Sequence, residues 1–284
     1  MKAIGQYLPD LLQRVEALRA QGATQTPKKP SAEDSPAFDC PLCRDEGIIF
    51  YPERNLAVEC KCQERKRVQR MLKSSNISEE FVHKTFDTFD VQSVDVRVAE
   101  AYKLVKEYSD TLVARVKKGQ GLQGVPWLGI LGKSGSGKTH LSTAAVVPLI
   151  ELGVQPVFFN WVSGFTEWMA YYNIPDEAYK VDEIRKRLYN CEILIVDDVC
   201  KESQKDTWVK EFYGIVDFRY RKGLPIIYTS EYFEDLIGFL SEATAGRLFE
   251  KSRSAKTGKK YIGQMFLGAE EDPLLLNYRF KDLV

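Results

Sequence analysis

The sequence contains a glycine-rich segment that matches G-x-x-x-x-G-K-[ST], the pattern of a phosphate-binding loop. It lies between an apolar segment, PWLGIL, and the helical pattern HLSTAAVVPLIELG, which is the context that such a loop requires. We expect Lys138 to reach the β and γ phosphates and the Thr139 hydroxyl to bind magnesium. The alternative is a chance glycine-rich turn. The predicted nucleotide-binding residues are Gly132, Lys133, Ser134, Gly135, Ser136, Gly137, Lys138 and Thr139.

A second motif, CEILIVDD, is an apolar run that ends in two adjacent acids. A buried strand that ends in two carboxylates is costly unless the acids take part in binding or catalysis. We therefore predict that Asp197 holds the magnesium ion and that Asp198 orients or deprotonates the attacking water. Both motifs occur in the order expected of one nucleotide-hydrolysing domain, so the pair argues against chance.

Four cysteines have the spacing of a metal site. A C-x-x-C pair and a C-x-C pair are separated by sixteen residues that contain two apolar segments, IIFY and LAV, around the turn-forming PERN. A hairpin there would bring four thiolates together as a closed, structural zinc site. Reduced free cysteines or a redox pair are the alternatives, and the C-x-C pair departs from the commoner spacing. The predicted zinc ligands are Cys40, Cys43, Cys60 and Cys62, whereas Cys191 and Cys200 are expected to be packing residues.

Alternating helical and strand patterns predict the elements that position these residues. The predicted strands are PWLGIL, PVFFNW, CEILIVDD, LPIIYTSE and YIGQMF, as in a parallel α/β domain. Pro148 is expected to kink or shorten the helix after the phosphate loop. The predicted organisation is an amphipathic helix at residues 1–20, which either docks on a partner or packs on the next module, a linker at 21–37, a zinc-binding, helicase-contacting module at 38–75 and an ATPase domain at 76–284.

The composition is that of a soluble globular protein. The 284 residues include 44% hydrophobic and 28% charged residues, which excludes wholesale disorder. Forty basic and forty acidic residues give a formal net charge of zero, so contact with nucleic acid would have to be local. The sequence has no apolar run of membrane-spanning length, and charged residues interrupt its N-terminal segment. We therefore expect a cytoplasmic protein with no membrane partner.

Five segments together carry a resemblance to a known family. KTFDTFDVQS, LGILGKSGSGKTHL, ILIVDDV, EFYGIVDFRYRKGLPIIYTSE and AGRLFE, in this order, resemble the AAA+ ATPases of the DnaC/DnaI type that load the bacterial replicative helicase. The similarity covers most of residues 78–267, and phage replication proteins share this layout. The resemblance implies an AAA+ P-loop NTPase fold with a parallel sheet and a reduced or absent helical lid. It also implies a small zinc-binding module that precedes the ATPase domain and contacts the helicase.

The resemblance assigns roles to further residues. Thr229 and Ser230 resemble the sensor I position, although they would equally cap the next helix. Arg247 resembles the arginine finger that one subunit inserts into the nucleotide site of its neighbour, and the alternative is a surface arginine. Arg219 and Arg221 are weaker candidates for contact across subunits. No sensor II arginine is evident, and Arg279 is a possible substitute.

A basic stretch near the C-terminus is a candidate DNA surface. Cations with neighbouring aromatics suit single-stranded DNA, although a solvated loop around Gly258 is the alternative and the basic helix after Cys62 competes for this role. The residues are Lys251, Arg253, Lys256, Lys259, Lys260, Tyr261 and Phe266.

The function implied by the resemblance is ATP-dependent helicase loading. The protein would use ATP, Mg²⁺ and Zn²⁺, self-associate through its ATPase domain, and place the hexameric replicative helicase on single-stranded DNA during replication initiation or restart. One alternative is an IstB-like AAA+ ATPase that assists a transposase, in which the four cysteines are not expected. The other is a non-hydrolysing ATP-bound adaptor, against which the intact Lys138 and both acids argue.

Overall fold

The structure is a computed structural model, and it describes residues 40–63, 66, 83–92, 94–172, 174–202, 205–268, 270–272 and 274–280. The predicted N-terminal helix, the linker and most of the basic helix after Cys62 lie outside these residues. Contacts divide the chain into two compact units, Met1–Cys60 and Lys61–Val284. Within the described ranges, no helix has both the length and the apolar character needed to cross a membrane.

The described part of the first unit is built around a β-hairpin. Strand β1 (Ile48–Tyr51) pairs antiparallel with β2 (Leu56–Glu59). A 3-10 turn at Pro52–Arg54 joins them, and Asn55 closes the turn in the left-handed conformation, at φ 46°. The hairpin predicted from IIFY, PERN and LAV is thus confirmed, because Pro and Asn supply the backbone angles that the reversal requires.

Five parallel strands form the sheet of the second unit, in the spatial order β4-β5-β6-β3-β7. All five strands predicted from the sequence are present. Their bounds are β3 (Leu128–Gly132), β4 (Pro156–Asn160), β5 (Ile193–Asp197), β6 (Ile226–Ser230) and β7 (Ile262–Met265). The helices around them are α1 (Val96–Lys117), α2 (Lys138–Ala144), α3 (Val147–Glu151), α4 (Trp161–Tyr172), α5 (Ala178–Asn190), α6 (Asp206–Lys222), α7 (Leu236–Leu240) and α8 (Glu242–Lys251).

Two hydrophobic clusters hold the helices to the sheet. One joins α1, through residues such as Val98 and Leu112, to α2 and α3. The other contains aromatic residues of α4 and α6, including Trp161 and Phe212. The strands between them are almost continuously apolar because a parallel sheet is covered on both faces.

Pro148 divides the helical segment after the phosphate loop, as predicted. Helix α2 ends at Ala144, and α3 begins at Val147 with the proline in its first turn, where the missing N–H costs no helical hydrogen bond.

The chain after Ser230 forms two short helices rather than a separate helical domain in the part that the structure describes. Leu236, Leu240 and Leu248 pack in the same cluster as the aromatic residues of α6. The chain then returns to the sheet as β7, and the reduced lid expected from the sequence is confirmed.

Candidate nucleotide site and metal centre

The sheet topology brings the two predicted motifs to one edge. Strands β5, β6 and β3 are neighbours, so their carboxyl ends lie side by side. The acid pair follows β5, the Thr229-Ser230 pair ends β6, and the phosphate loop follows β3. This is the edge at which parallel α/β folds bind their ligands.

The phosphate loop, residues 132–139, is held by its own side chains. Lys133 carbonyl oxygen accepts hydrogen bonds from Ser136 Oγ at 2.7 Å and from Lys138 Nζ at 2.9 Å. Gly135 and Gly137 have φ of 77° and 89°, which side chains with a Cβ rarely adopt. The glycines of the motif are therefore required by the backbone itself.

Lys138 is buried at the base of the pocket, with 5% of its side chain exposed. Burial lowers the pKa of its ammonium group, and Glu231, 3.9 Å away, opposes this effect. A buried cation with a distant carboxylate is suited to an anionic ligand such as a phosphate.

The acid pair lies directly opposite the phosphate loop. Thr139 Oγ1 is 3.1 Å from each carboxylate oxygen of Asp197. Burial raises the pKa of Asp197 to about 6, and the negative charge of Asp198 adds to this. Such a carboxylate gains from a nearby cation, which would lower its pKa again.

The residues present fit a magnesium ion. A threonine hydroxyl and a carboxylate are the hard oxygen ligands that Mg²⁺ prefers, and phosphate and water oxygens commonly complete its shell. Thr139 and Asp197 provide both within hydrogen-bonding distance of each other.

Asp198 has a distinct environment. Its backbone has φ 58°, and its carboxylate pairs with Lys201 Nζ at 3.0 Å. Lys201 also pairs with Glu231 at 3.3 Å. Sequence reasoning missed Lys201 and Glu231, although Glu231 directly follows the Thr229-Ser230 pair and its position at a strand end was an available signal.

The two candidate sensor residues have different contacts. Thr229 Oγ1 donates to Asp197 Oδ1 at 2.7 Å and accepts from the Asp198 N–H at 2.8 Å. Ser230 Oγ donates to the Val199 carbonyl at 2.8 Å and accepts from the Tyr232 N–H at 3.1 Å. Thr229 therefore contacts the acid pair, whereas Ser230 stabilises the turn after β6.

Two peripheral segments complete the pocket, which is also lined by Lys84 and Arg279. His140 Nε2 lies 2.8 Å from the Thr85 carbonyl, and the His140 ring meets Phe89 edge to face at 5.0 Å. His140 was expected near the nucleotide, and it lies on the pocket wall, where burial lowers its pKa.

Arg247 lies on α8, and it does not line this pocket. Its guanidinium pairs with Asp217 at 3.2 Å and lies over the rings of Tyr213 and Tyr220, with centroids at 5.5 and 5.4 Å. The Nε atom is buried without a hydrogen-bond partner. The aromatic rings and Asp217 hold the arginine in a defined position at the surface.

The expectation that Arg219 contacts another subunit is wrong. Arg219 is fully buried and donates to four backbone carbonyls at 2.7–3.2 Å, which tie α6 to the end of α5 and the start of β6. Arg221, which is 69% exposed and pairs with Asp217, stays a surface residue.

The basic stretch is only partly available to a ligand. Lys259 Nζ pairs with Glu107 at 2.5 Å, and Tyr261 is buried against Tyr108. The interpretation of Tyr261 as a stacking platform for bases is wrong, because its ring belongs to the core under α1. Lys256 and Lys260 remain exposed.

The four predicted zinc ligands form one buried cluster. The sulfur atoms of Cys40, Cys43, Cys60 and Cys62 all lie within 4.8 Å of one another. Cys40 Sγ and Cys60 Sγ are 3.7 Å apart, close to the edge of about 3.8 Å that a tetrahedron with Zn–S bonds of about 2.3 Å would have. The donor set and its spacing therefore fit zinc.

Local hydrogen bonds favour the thiolate form that a metal requires. The backbone N–H of Cys43 lowers the pKa of the Cys40 thiol to about 6, and the Gly47 N–H donates to Cys43 Sγ at 3.3 Å. The other two cysteines lie elsewhere, as expected. Cys200 is fully buried, and Cys191 accepts a hydrogen bond from Arg219.

Comparisons with known proteins agree with this architecture. No family model matches the chain. It is 27% identical over 232 residues to the phage-like element PBSX protein XkdC of Bacillus subtilis strain 168, covering 78% of this chain and 82% of that protein. It is 26% identical to the uncharacterized protein YqaM of the same strain, covering 80% of this chain and 84% of the relative.

A solved structure shows the same fold. The crystal structure of the DnaC helicase loader superposes with a TM-score of 0.51 at 20% identity, covering 67% of this chain and all of the loader chain. The AAA+ P-loop fold is therefore the fold of this protein, and the resemblance to the DnaC/DnaI loaders that the motifs predicted is confirmed at the level of the fold.

Proposed function

We propose that the protein is an ATP-dependent loader of a hexameric replicative DNA helicase, with a zinc-binding module ahead of its ATPase domain. One observation carries the enzymatic part of the proposal. Thr139 on the phosphate loop, Asp197 on β5 and Thr229 on β6 are joined by hydrogen bonds of 2.7–3.1 Å. A hydroxyl, a carboxylate and a sensing hydroxyl in direct contact are what a magnesium-dependent nucleotide site requires.

The side chains divide the chemical work. Lys138 is placed to bind the β and γ phosphates, and Thr139 and Asp197 would hold magnesium, which neutralises charge on the phosphates. Asp198 would orient the attacking water or accept its proton. Its partner Lys201, 3.0 Å away, keeps that carboxylate ionised and therefore able to accept a hydrogen bond.

Arg247 would complete the site of a neighbouring subunit. It lies outside the pocket of its own chain, which is where a residue that acts on a second copy must lie. Its contacts with Tyr213, Tyr220 and Asp217 reduce the entropy that a long side chain would lose on insertion. We therefore propose self-association through the ATPase domain.

The zinc module would contact the helicase. Its hairpin exposes several large apolar side chains, an arrangement that marks protein interaction surfaces. These residues are Leu42, Ile48, Phe50, Tyr51 and Leu56. The zinc ion would supply the folding energy that so small a unit cannot obtain from its own core. The ATPase domain would contact single-stranded DNA through exposed residues of the basic stretch, such as Lys256 and Lys260.

The helicase interaction can be tested by light scattering after size exclusion. The protein is mixed with the replicative helicase of its own host or phage, with Mg²⁺ and ATP and again without nucleotide. The proposal predicts a complex heavier than the helicase hexamer when ATP is present. No complex in either condition would contradict it and would favour a transposase-assisting ATPase.

A further inference from the structure

The C-terminal segment, residues 274–280, packs against the phosphate loop. The Tyr278 N–H donates to the Gly135 carbonyl at 3.2 Å, and a Cβ at Gly135 would overlap the side chain of Asn277. Gly135 is therefore required for the approach of this segment as well as for its own positive φ. Neither contact follows from the phosphate-loop pattern.

Two further contacts fix the position of the segment. Leu276 is fully buried in the cluster that includes α1. Tyr278 Oη accepts a hydrogen bond of 2.8 Å from the Asp95 N–H at the start of α1. Just before the segment, Glu271 forms a two-pronged ion pair with Arg97 at 2.7 and 2.8 Å.

The anchored segment brings Arg279 to the nucleotide pocket. Arg279 lines the pocket together with Ser134, Gly135 and Lys138. Lys201 in the same pocket pairs with Asp198 and Glu231, whereas the Arg279 guanidinium forms no ion pair with any carboxylate that the structure describes. It is exposed, so its five donors are available to a ligand.

We propose that Arg279 binds phosphate oxygens of the nucleotide held by its own chain, and that this contact secures the C-terminal segment over the phosphate loop. The inference rests on the proposed nucleotide binding. An arginine matches phosphate geometry because it donates two parallel hydrogen bonds. In this protein the same-chain arginine comes from a short segment after β7 and not from a helical lid.

Affinity measurements test the contact. Fluorescent ATP and ADP analogues are titrated into the full-length protein and into the variants Arg279→Ala and Arg279→Lys, with Mg²⁺ present. Because a charge-assisted hydrogen bond is worth about 1.5 kcal/mol or more, Arg279→Ala is expected to weaken ATP binding about tenfold. Arg279→Lys retains the charge but not the fork, so its loss is expected to be smaller.

A matched control separates this contact from general charge effects. Arg54→Ala removes an exposed arginine of the hairpin unit and is expected to leave the affinity unchanged. An Arg279→Ala loss below threefold, or an equal loss in Arg54→Ala, would overturn the proposal. Failure of the unmodified protein to bind ATP would instead overturn the proposed function, so the two failures are distinguishable.

Hydrogen exchange provides a second readout that does not depend on turnover. The Tyr278 N–H is the donor to Gly135, so its exchange reports directly whether the segment is closed on the loop. ATP is expected to slow this exchange in the unmodified protein and to have a much smaller effect in Arg279→Ala. Equal slowing in both proteins would show that the segment closes without the arginine and would contradict the proposal.

Discussion

Thr229 Oγ1 donates a hydrogen bond of 2.7 Å to Asp197 Oδ1, and the same oxygen accepts from the Asp198 N–H. One hydroxyl at the end of β6 therefore fixes the carboxylate proposed for magnesium and the backbone of the acid proposed for catalysis. Both groups move if this hydroxyl moves, so the strand between the acid pair and the phosphate loop couples the parts of the site.

Removing this hydroxyl is expected to reduce hydrolysis. Thr229→Val leaves the buried Asp198 N–H without its acceptor, a loss of about 1–3 kcal/mol, and turnover is expected to fall at least about tenfold. Thr229→Ser retains the hydroxyl and should retain most of the rate. Steady-state ATP turnover measures both variants.

Ser230→Ala is the control for Thr229→Val. It is adjacent and equally buried, but its hydroxyl bonds Val199 and Tyr232 rather than the acids. It should leave turnover near that of the unmodified protein. A Thr229→Val protein with normal turnover, or equal losses at both positions, would show that Thr229 has no specific role.

Magnesium binding is expected to weaken in mild acid. The pKa of Asp197 is raised to about 6, so its carboxylate is ionised above that pH and protonated below it. A protonated carboxyl is a poor ligand for Mg²⁺, and affinity should fall up to about tenfold for each pH unit below the pKa. Titrations of Mg²⁺ at fixed ATP between pH 5 and pH 8 measure this, with the pH values chosen about one to two units around that pKa.

Asp197→Asn provides the control for the pH effect. The amide does not titrate, so its weaker magnesium affinity should lack this dependence on pH. The same pH profile in the variant and in the unmodified protein would assign the titration to another group.

Much of this site was predictable because its residues lie in short, local motifs. The phosphate loop and the acid pair were found from spacing alone, since strand, turn and helix each carry their own pattern. Lys201 and Glu231 were not found, because their roles depend on how β5 and β6 lie side by side. Arg219 was misinterpreted because a buried arginine that bonds carbonyls has the same sequence signature as a surface one.

The role of Arg247 can be tested by mixing two inactive proteins. Arg247→Ala is expected to have an intact pocket but no residue for its neighbour, and Lys138→Ala the reverse. If Arg247 acts on the next subunit, a mixture of the two should recover part of the turnover that each lacks alone. Recovery in no mixture, or full turnover by Arg247→Ala alone, would contradict action across the interface.

Zinc removal is expected to unfold the hairpin unit without affecting the nucleotide site. The four buried thiols can form no tetrahedral centre without the metal, whose binding supplies folding energy. Metal analysis should give one zinc per chain, and Cys60→Ser should lower that content. A strong chelator should abolish helicase binding but leave ATP affinity within about twofold. A metal-free protein with an unchanged hairpin would contradict the structural role.

The central claim is that the protein uses ATP to place a closed helicase ring on DNA. Its most direct test is helicase loading on a circular single strand, which has no end for a ring to thread over. We measure helicase retained on the circle after a high-salt wash, using the unmodified protein and Lys138→Ala. The account predicts retention that requires the unmodified protein and ATP. Equal retention with Lys138→Ala, or none with the unmodified protein, would contradict it.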